Sequence, residues 1–78
     1  MNQTEALAWI ADLFEVLPQK IQPDTKREAI PAWDSLGVLT LMAALDEQFG
    51  ILPTEEEMQS MQSVQDILNV LNKNGTID

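Results

Sequence analysis

The stretch Trp33 to Gly50, WDSLGVLTLMAALDEQFG, decides the fold. It opens on Asp34 and Ser35, either of whose side chains can accept from the orphan backbone N–H groups at a helix start. Val38, Leu41, Met42, Leu45 and Phe49 then fall within one stripe about 100° wide, the face expected to meet a core. Gly50 suits a left-handed stop. At ~1.5 Å per residue this helix is about 20 Å long, enough to cross a small domain. The rest of the chain must therefore assemble around it. Its other side carries Leu36, Leu39 and Ala43 beside Thr40, Asp46 and Glu47. Two readings are open for that side. The leucines tuck under a neighbouring loop, or they form a small apolar patch edged by acids, a composition suited to a partner site.

On the N-terminal side lies a connection over residues 18–33, PQKIQPDTKREAIPAW. Its three prolines argue against a continuous helix, and it is long for a link between helices. Ile21 and Ile30 are expected to pin it to the bundle, with a short helical turn around Thr25–Ala29. Before it, the spacing predicts a first helix from about Thr4, as N-cap, to Leu17, stopped by Pro18. Leu7, Ile10, Ala11, Leu13, Phe14 and Leu17 share its inner side. Trp9 and Val16 lie off that stripe, and Trp9 is expected at the core's edge.

On the C-terminal side, Ile51, Leu52 and Pro53 turn the chain. Thr54-Glu55-Glu56-Glu57 has the form of a capping box, so a short third helix is expected to about Met61. Ser63-Val64-Gln65-Asp66 opens a last helix with Val64, Ile67, Leu68 and Leu71 inside. Asn72 to Asp78 reads as a frayed end. The fold class is all-α: a small four-helix bundle of three main helices plus one short one, with a long loop after the first. Strand signals are absent, and 78 residues suffice for one domain, 1–78.

Composition removes several functions. The chain has no cysteine and no histidine, hence no disulfide, no thiolate metal site and no Ser–His–Asp triad. No metal site and no autonomous catalytic site are expected. Thirteen acidic residues against four basic ones give a formal charge of −9, which disfavours nucleic acid and anionic membranes and favours basic protein partners. Three of the four cations, Lys20, Lys26 and Arg27, fall in the long connection. No apolar run is long enough to span a bilayer, and the N-terminus lacks the basic start of a secretory signal, so a cytoplasmic monomer is expected.

Ser35 is the one residue singled out for chemistry. A serine before an apolar helix is most often a cap. Its location also suits a covalent phosphodiester, because a helix N-terminus favours a bound phosphate. Asp34 beside it can contribute an oxygen to a magnesium ion during attachment. Glu55 to Glu57 read as a solvated helix start. Met42, Met58 and Met61 read as core filler.

Taken together, Asp34-Ser35-Leu36, the helix ending Asp46-Glu47-Gln48-Phe49-Gly50-Ile51 and the start Ser63-Val64-Gln65-Asp66-Ile67 resemble the acyl carrier protein family along nearly the whole chain. The resemblance implies 4′-phosphopantetheine attached to Ser35 by a phosphopantetheinyl transferase, with acyl groups carried as thioesters on the arm's thiol. It implies docking of Leu36, Leu39, Ala43, Asp46 and Glu47 on basic patches of acyl-loading and acyl-processing enzymes of fatty-acid, polyketide or related biosynthesis. In members that shelter the acyl chain, the positions here are Leu41, Met42, Leu45 and Met58 or Met61. Members of fatty-acid synthesis usually have acids where this chain has Gly37 and Thr40, which sets a specialised pathway (polyketide, peptide, modified lipid or surface polysaccharide) on an equal footing with fatty-acid synthesis. Two alternatives stand beside this reading: an aminoacyl or peptidyl carrier using the same arm, and a cofactor-free acidic helical adaptor.

Overall fold

The computed structural model describes residues 1–77, and in them four helices appear in chain order: α1 (Gln3–Leu13), α2 (Ser35–Phe49), α3 (Glu55–Gln59) and α4 (Val64–Lys73). Among the described residues there is no strand, only an isolated bridge between Lys26 and Ser63. The all-helical expectation and the three-plus-one pattern of helices are met.

The boundaries of α1 differ from the sequence expectation at both ends. Asn2, not Thr4, is the N-cap: its side chain accepts from the Glu5 N–H at 2.8 Å, and the Glu5 carboxylate accepts from the Asn2 N–H at 2.9 Å. This reciprocal pairing satisfies two orphan donors at once and outcompetes a cap two residues later. The helix stops at Leu13, four residues before the expected Leu17. Pro18 does not stop it. Glu15 adopts the left-handed conformation (φ 57°), and Val16 N–H donates to Ala11 C=O at 2.9 Å while Glu15 N–H donates to Asp12 C=O at 3.2 Å. That is a Schellman stop built on a residue with a Cβ. Leu17 consequently leaves the inner stripe and is 58 % exposed.

The core is made by Ala6, Ile10, Ala11 and Phe14 of the first segment, Val38, Leu41 and Leu45 of α2, Met58 and Met61 around α3, and Val64, Ile67, Leu68 and Leu71 of α4. The expected α2 and α4 stripes are therefore inside, with Met42 and Phe49 at the margin. Trp9 packs edge-on against Phe49, centroids 5.1 Å apart, as an edge-of-core residue should. Ile51 and Trp33 are buried as well, and neither was assigned to the core by periodicity.

The long connection is tied down along its length. It contains two single 3₁₀ turns, Pro18–Lys20 and Arg27–Ala29, and Ile21 and Ile30 are buried as expected. It also caps α4: the N–H groups of Val64 and Gln65 donate to Thr25 C=O (2.9 Å) and Pro23 C=O (2.8 Å). These are orphan donors of the helix's first turn. At the same end, the Asp66 carboxylate accepts from the N–H of Gln62 (2.8 Å) and of Ser63 (3.2 Å).

Helix α3 ends at Gln59, short of the expected Met61. Thr54 caps it, accepting from Glu57 N–H at 3.1 Å, but the Glu57 carboxylate meets the Thr54 hydroxyl (3.2 Å) and not its backbone. At the other end of the chain, α4 continues to Lys73, through part of the segment expected to fray. A second Schellman stop at Gly75 (φ 73°) closes it, with Thr76 N–H on Leu71 C=O and Gly75 N–H on Asn72 C=O. The N-terminal ammonium donates to Thr76 C=O at 2.9 Å, and Ile77 packs on the core. Asp78, also expected to fray, lies outside the described residues.

Glu15 offers a direct check of the α1 stop. Glycine reaches the left-handed region without the Cβ penalty, so Glu15→Gly should stabilise the fold by about 0.5–1 kcal/mol. The measurement is the urea midpoint of the variant against the wild type. A loss of stability would show that the stop is not set by this residue.

Candidate functional site

The mouth of α2 is built from four consecutive positions with different environments. Trp33 is inside, 3 % exposed, stacked on Phe14 with centroids 5.4 Å apart and planes 18° apart. Asp34 is extended (φ −102°, ψ −168°) and is the N-cap: its Oδ1 accepts from Gly37 N–H at 2.8 Å. Ser35 is the first helical residue and is exposed. Leu36 follows, 72 % exposed.

The two candidate caps are thus separated. Asp34 does the capping, and no hydrogen bond of the Ser35 hydroxyl is found among the described residues. Val38 N–H donates to Asp34 C=O at 2.9 Å and Gly37 N–H to the Asp34 side chain, so of the first turn's N–H groups those of Ser35 and Leu36 are left without a partner among the described residues. The first turn of α2 holds no acidic residue. The positive end of the helix dipole therefore meets an exposed hydroxyl, with the Asp34 carboxylate as the one neighbouring charge in sequence.

Gly37 has a steric role that composition alone does not reveal. A Cβ at this position would come 1.9 Å from the Ala32 carbonyl oxygen. The backbone of the connection presses on α2 here, and only a residue lacking a side chain leaves room. Arg27 secures the same approach from the other end: its Nε donates to Trp33 C=O (3.0 Å), its Nη1 to Gln59 C=O (2.9 Å), and its backbone N–H to Gln62 C=O (2.8 Å). Its guanidinium carbon is 5.9 Å from the Trp33 ring centroid.

The outer face of α2 is settled in favour of exposure. Leu36 and Leu39 are 72 % and 47 % exposed and do not tuck under the connection. Ala43, Asp46 and Glu47 are exposed along the same helix. Leu41 and Leu45 are fully buried, as are Met58 and nearly Met61, while Met42 is half-buried. Leu52, 78 % exposed, was read only as part of a turn. It borders a shallow groove of about 210 Å³ lined by Ile51, Pro53, Glu57, Val70 and Lys73. No group of three or more potential metal ligands occurs among the described residues, and among them no helix is long and apolar enough to cross a membrane.

The fold and site define a class: a small acidic all-helical bundle whose longest helix opens on an exposed, uncommitted hydroxyl. No family model matches the chain. It is 37 % identical over 65 residues to a protein of Thermosynechococcus vestitus named "Acyl carrier protein", an alignment covering 78 % of this chain and 80 % of that one. The chain belongs to the acyl carrier protein family.

The division between cap and hydroxyl predicts opposite costs for adjacent substitutions. Asp34→Ala should lower stability by about 1 kcal/mol through the lost cap. Ser35→Ala should stay within about 0.5 kcal/mol of wild type, as exposed positions do. Equal losses at the two positions would mean that both side chains hold the helix end. Gly37→Ala inverts the usual helix preference. Alanine normally gains about 1 kcal/mol over glycine in a helix, but here it should cost about 1–3 kcal/mol because it meets backbone. Denaturant titration of the three variants reads all of these.

Proposed function

We propose that this chain carries acyl groups as thioesters on a 4′-phosphopantetheine arm attached to the Ser35 hydroxyl. One observation carries the reading: Asp34 takes the cap, which leaves Ser35 exposed at the first position of α2 with its hydroxyl uncommitted. A phosphodiester there faces two open backbone N–H groups at the positive end of a fifteen-residue helix. The surroundings fit such a group, since Ser35 is exposed and no acid lies in the first turn.

In the attachment step the Ser35 oxygen bonds to the phosphorus next to pantetheine in coenzyme A. The phosphoanhydride bond to the nucleotide half breaks, adenosine 3′,5′-bisphosphate leaves, and the hydroxyl proton passes to a base on a phosphopantetheinyl transferase. Asp34 Oδ1 stays on the Gly37 N–H, and its second oxygen is the group proposed to touch magnesium during transfer. Once attached, the arm supplies the thiol that a chain without cysteine lacks. The chain itself contributes no catalytic residue.

Leu36, Leu39 and Ala43, edged by Asp46 and Glu47, are the proposed docking face for enzymes with basic patches. The apolar centre gives contact energy and the acids give orientation and encounter rate. Gly37 and Thr40 leave that face with fewer acids than carriers of fatty-acid synthesis usually present. The pathways in view are fatty-acid, polyketide or related specialised biosynthesis, and Thr40 is the position on that face that favours a specialised one. The protein is proposed to work as a cytoplasmic monomer.

Incubation of the apo protein with coenzyme A, magnesium and a broad-specificity transferase should add one phosphopantetheine mass, and Ser35→Ala should abolish the addition. A wild type that stays unmodified with several transferases, or a mutant that is still modified, would sink the assignment. Leu36→Glu and Leu39→Glu should keep the fold intact while lowering partner kcat/KM about tenfold each, the equivalent of one lost leucine contact. Unchanged kinetics in both would remove this face from the docking role.

A further inference from the structure

The chain has four asparagines, and one of them, Asn74, precedes a glycine. Such a pair carries chemistry of its own. The peptide nitrogen that follows an asparagine can close a five-membered ring on the side-chain carbonyl carbon. A Cβ on the following residue crowds that approach, and glycine has none. Asn74 and Gly75 are both exposed, so water and hydroxide reach them. A Cβ built at Gly75 would meet nothing within 4 Å, so the space around the pair is open.

The folded conformation opposes the ring. Asn74 has φ −95° and ψ 10°. A ψ near zero places the Gly75 nitrogen almost eclipsed with Asn74's own nitrogen, whereas ring closure needs it on the side of Cβ. Three hydrogen bonds hold this arrangement. Gly75 N–H donates to Asn72 C=O at 3.0 Å and Thr76 N–H to Leu71 C=O at 2.9 Å. The Asn74 Nδ2 donates to Val70 C=O at 2.8 Å. The nitrogen that attacks and the nitrogen that leaves are therefore both engaged by the stop of α4.

We propose that Asn74 is a site of self-modification latched by the stop of α4: its amide converts to a carboxylate when the last turn opens, and the product holds the turn less well. The Gly75 nitrogen gives its proton to solvent hydroxide and bonds to Asn74 Cγ. The bond from Cγ to Nδ2 breaks, and ammonia leaves with a proton taken from water. Water then opens the ring at either carbonyl, giving aspartate or isoaspartate. Both products lose the donor on Val70 C=O and set a negative charge at the negative end of the helix dipole. Isoaspartate also inserts a carbon into the backbone of the stop and shifts its register. Slow chemistry on a transiently open turn proceeds in proportion to the open population. Three net hydrogen bonds, each worth about fivefold, set the native rate about a hundredfold below that of the unfolded chain.

The test incubates the full chain in mildly alkaline buffer, native and in denaturing urea, and follows each asparagine by peptide mapping with isoaspartate labelling. Asn69 and Asn72, followed by Val70 and Lys73, are the internal controls. In urea, Asn74 should convert well ahead of both, and in the native protein about a hundredfold more slowly than in urea. An Asn74 that keeps pace with the controls in urea is not a site, and the proposal fails. A native rate within about fivefold of the unfolded one, the worth of a single net bond, also overturns it. Thr76→Pro removes the N–H on Leu71 C=O and should raise the native rate at least about fivefold while leaving the rate in urea unchanged. An unmoved native rate means that the stop is not the latch. Asn74→Asp reads the consequence: its urea midpoint should fall below that of the wild type, and an equal or higher midpoint overturns the claim that the product loosens the turn. Should Thr76→Pro not fold, the wild-type ratio and Asn74→Asp decide.

Discussion

Arg27 is the constraint on which the placement of the site depends. One side chain and its own backbone N–H reach three carbonyls, on Trp33, Gln59 and Gln62, each at 2.8–3.0 Å. These belong to the entry to α2, the end of α3 and the turn into α4. A planar guanidinium can hold two such acceptors in fixed directions, which a lysine ammonium cannot. The bonds are charge-assisted and partly shielded from water, so they outweigh an ordinary surface contact. Without this cross-link, sixteen residues of proline-interrupted chain would be held by the buried Ile21, Ile30 and Trp33 and by two backbone bonds to α4. The connection in turn supplies the first N–H groups of α4 with the carbonyls of Thr25 and Pro23. Loop and helix are therefore stabilised together, and the loop behaves as part of the bundle.

This has an electrostatic consequence. The formal charge of −9 already favours basic partners. Arg27, one of only four cations, is turned inward onto backbone carbonyls and a tryptophan ring. It contributes less to the outer surface than its formal charge implies. The exposed side of α2, with Asp46 and Glu47 near its end, carries no basic residue at all. Attraction to a basic partner and the apolar contact of Leu36 and Leu39 thus lie on one helix. In the docking proposed above, the acids would set approach and orientation and the leucines supply the burial.

What could be read from the sequence followed from periodicity and from polar caps. The stripes Val38–Leu41–Leu45 and Val64–Ile67–Leu68–Leu71 are repeated intervals, and burial follows them directly. The cap at Thr54 and the Asp66 contacts are short local patterns with local physics. The misses have a different origin. Glu15 adopts a left-handed conformation that its residue type disfavours, so nothing in the residue itself marks the stop. Asn2 won over Thr4 because a reciprocal pair with Glu5 beats a single acceptor. Trp33 lies in no periodic segment, so nothing in its spacing marks it as core. Gly37 looks like a missing acid until the Ala32 carbonyl is seen against it. The site itself was half legible. Asp34 and Ser35 were recognised together as cap and hydroxyl, but which did which required the Gly37 N–H to be located.

That last distinction explains why the turn into α2 can be both rigid and open. Successive side chains of an extended residue point to opposite sides, so the chain moves from interior to surface within three positions. Trp33 anchors the inner end by stacking and by its two backbone bonds. Asp34, extended, reverses direction and closes the first turn through Gly37. Gly37 lets the Ala32 carbonyl come close enough for Trp33 to reach the core. Ser35 is left exposed between the capping Asp34 and the exposed Leu36, and its hydroxyl has no hydrogen-bond partner among the described residues. Here the cap belongs to the neighbour, so a group attached to Ser35, as proposed above, leaves the bond between Asp34 and the Gly37 N–H in place. Cap and proposed attachment point are thus divided between two adjacent residues.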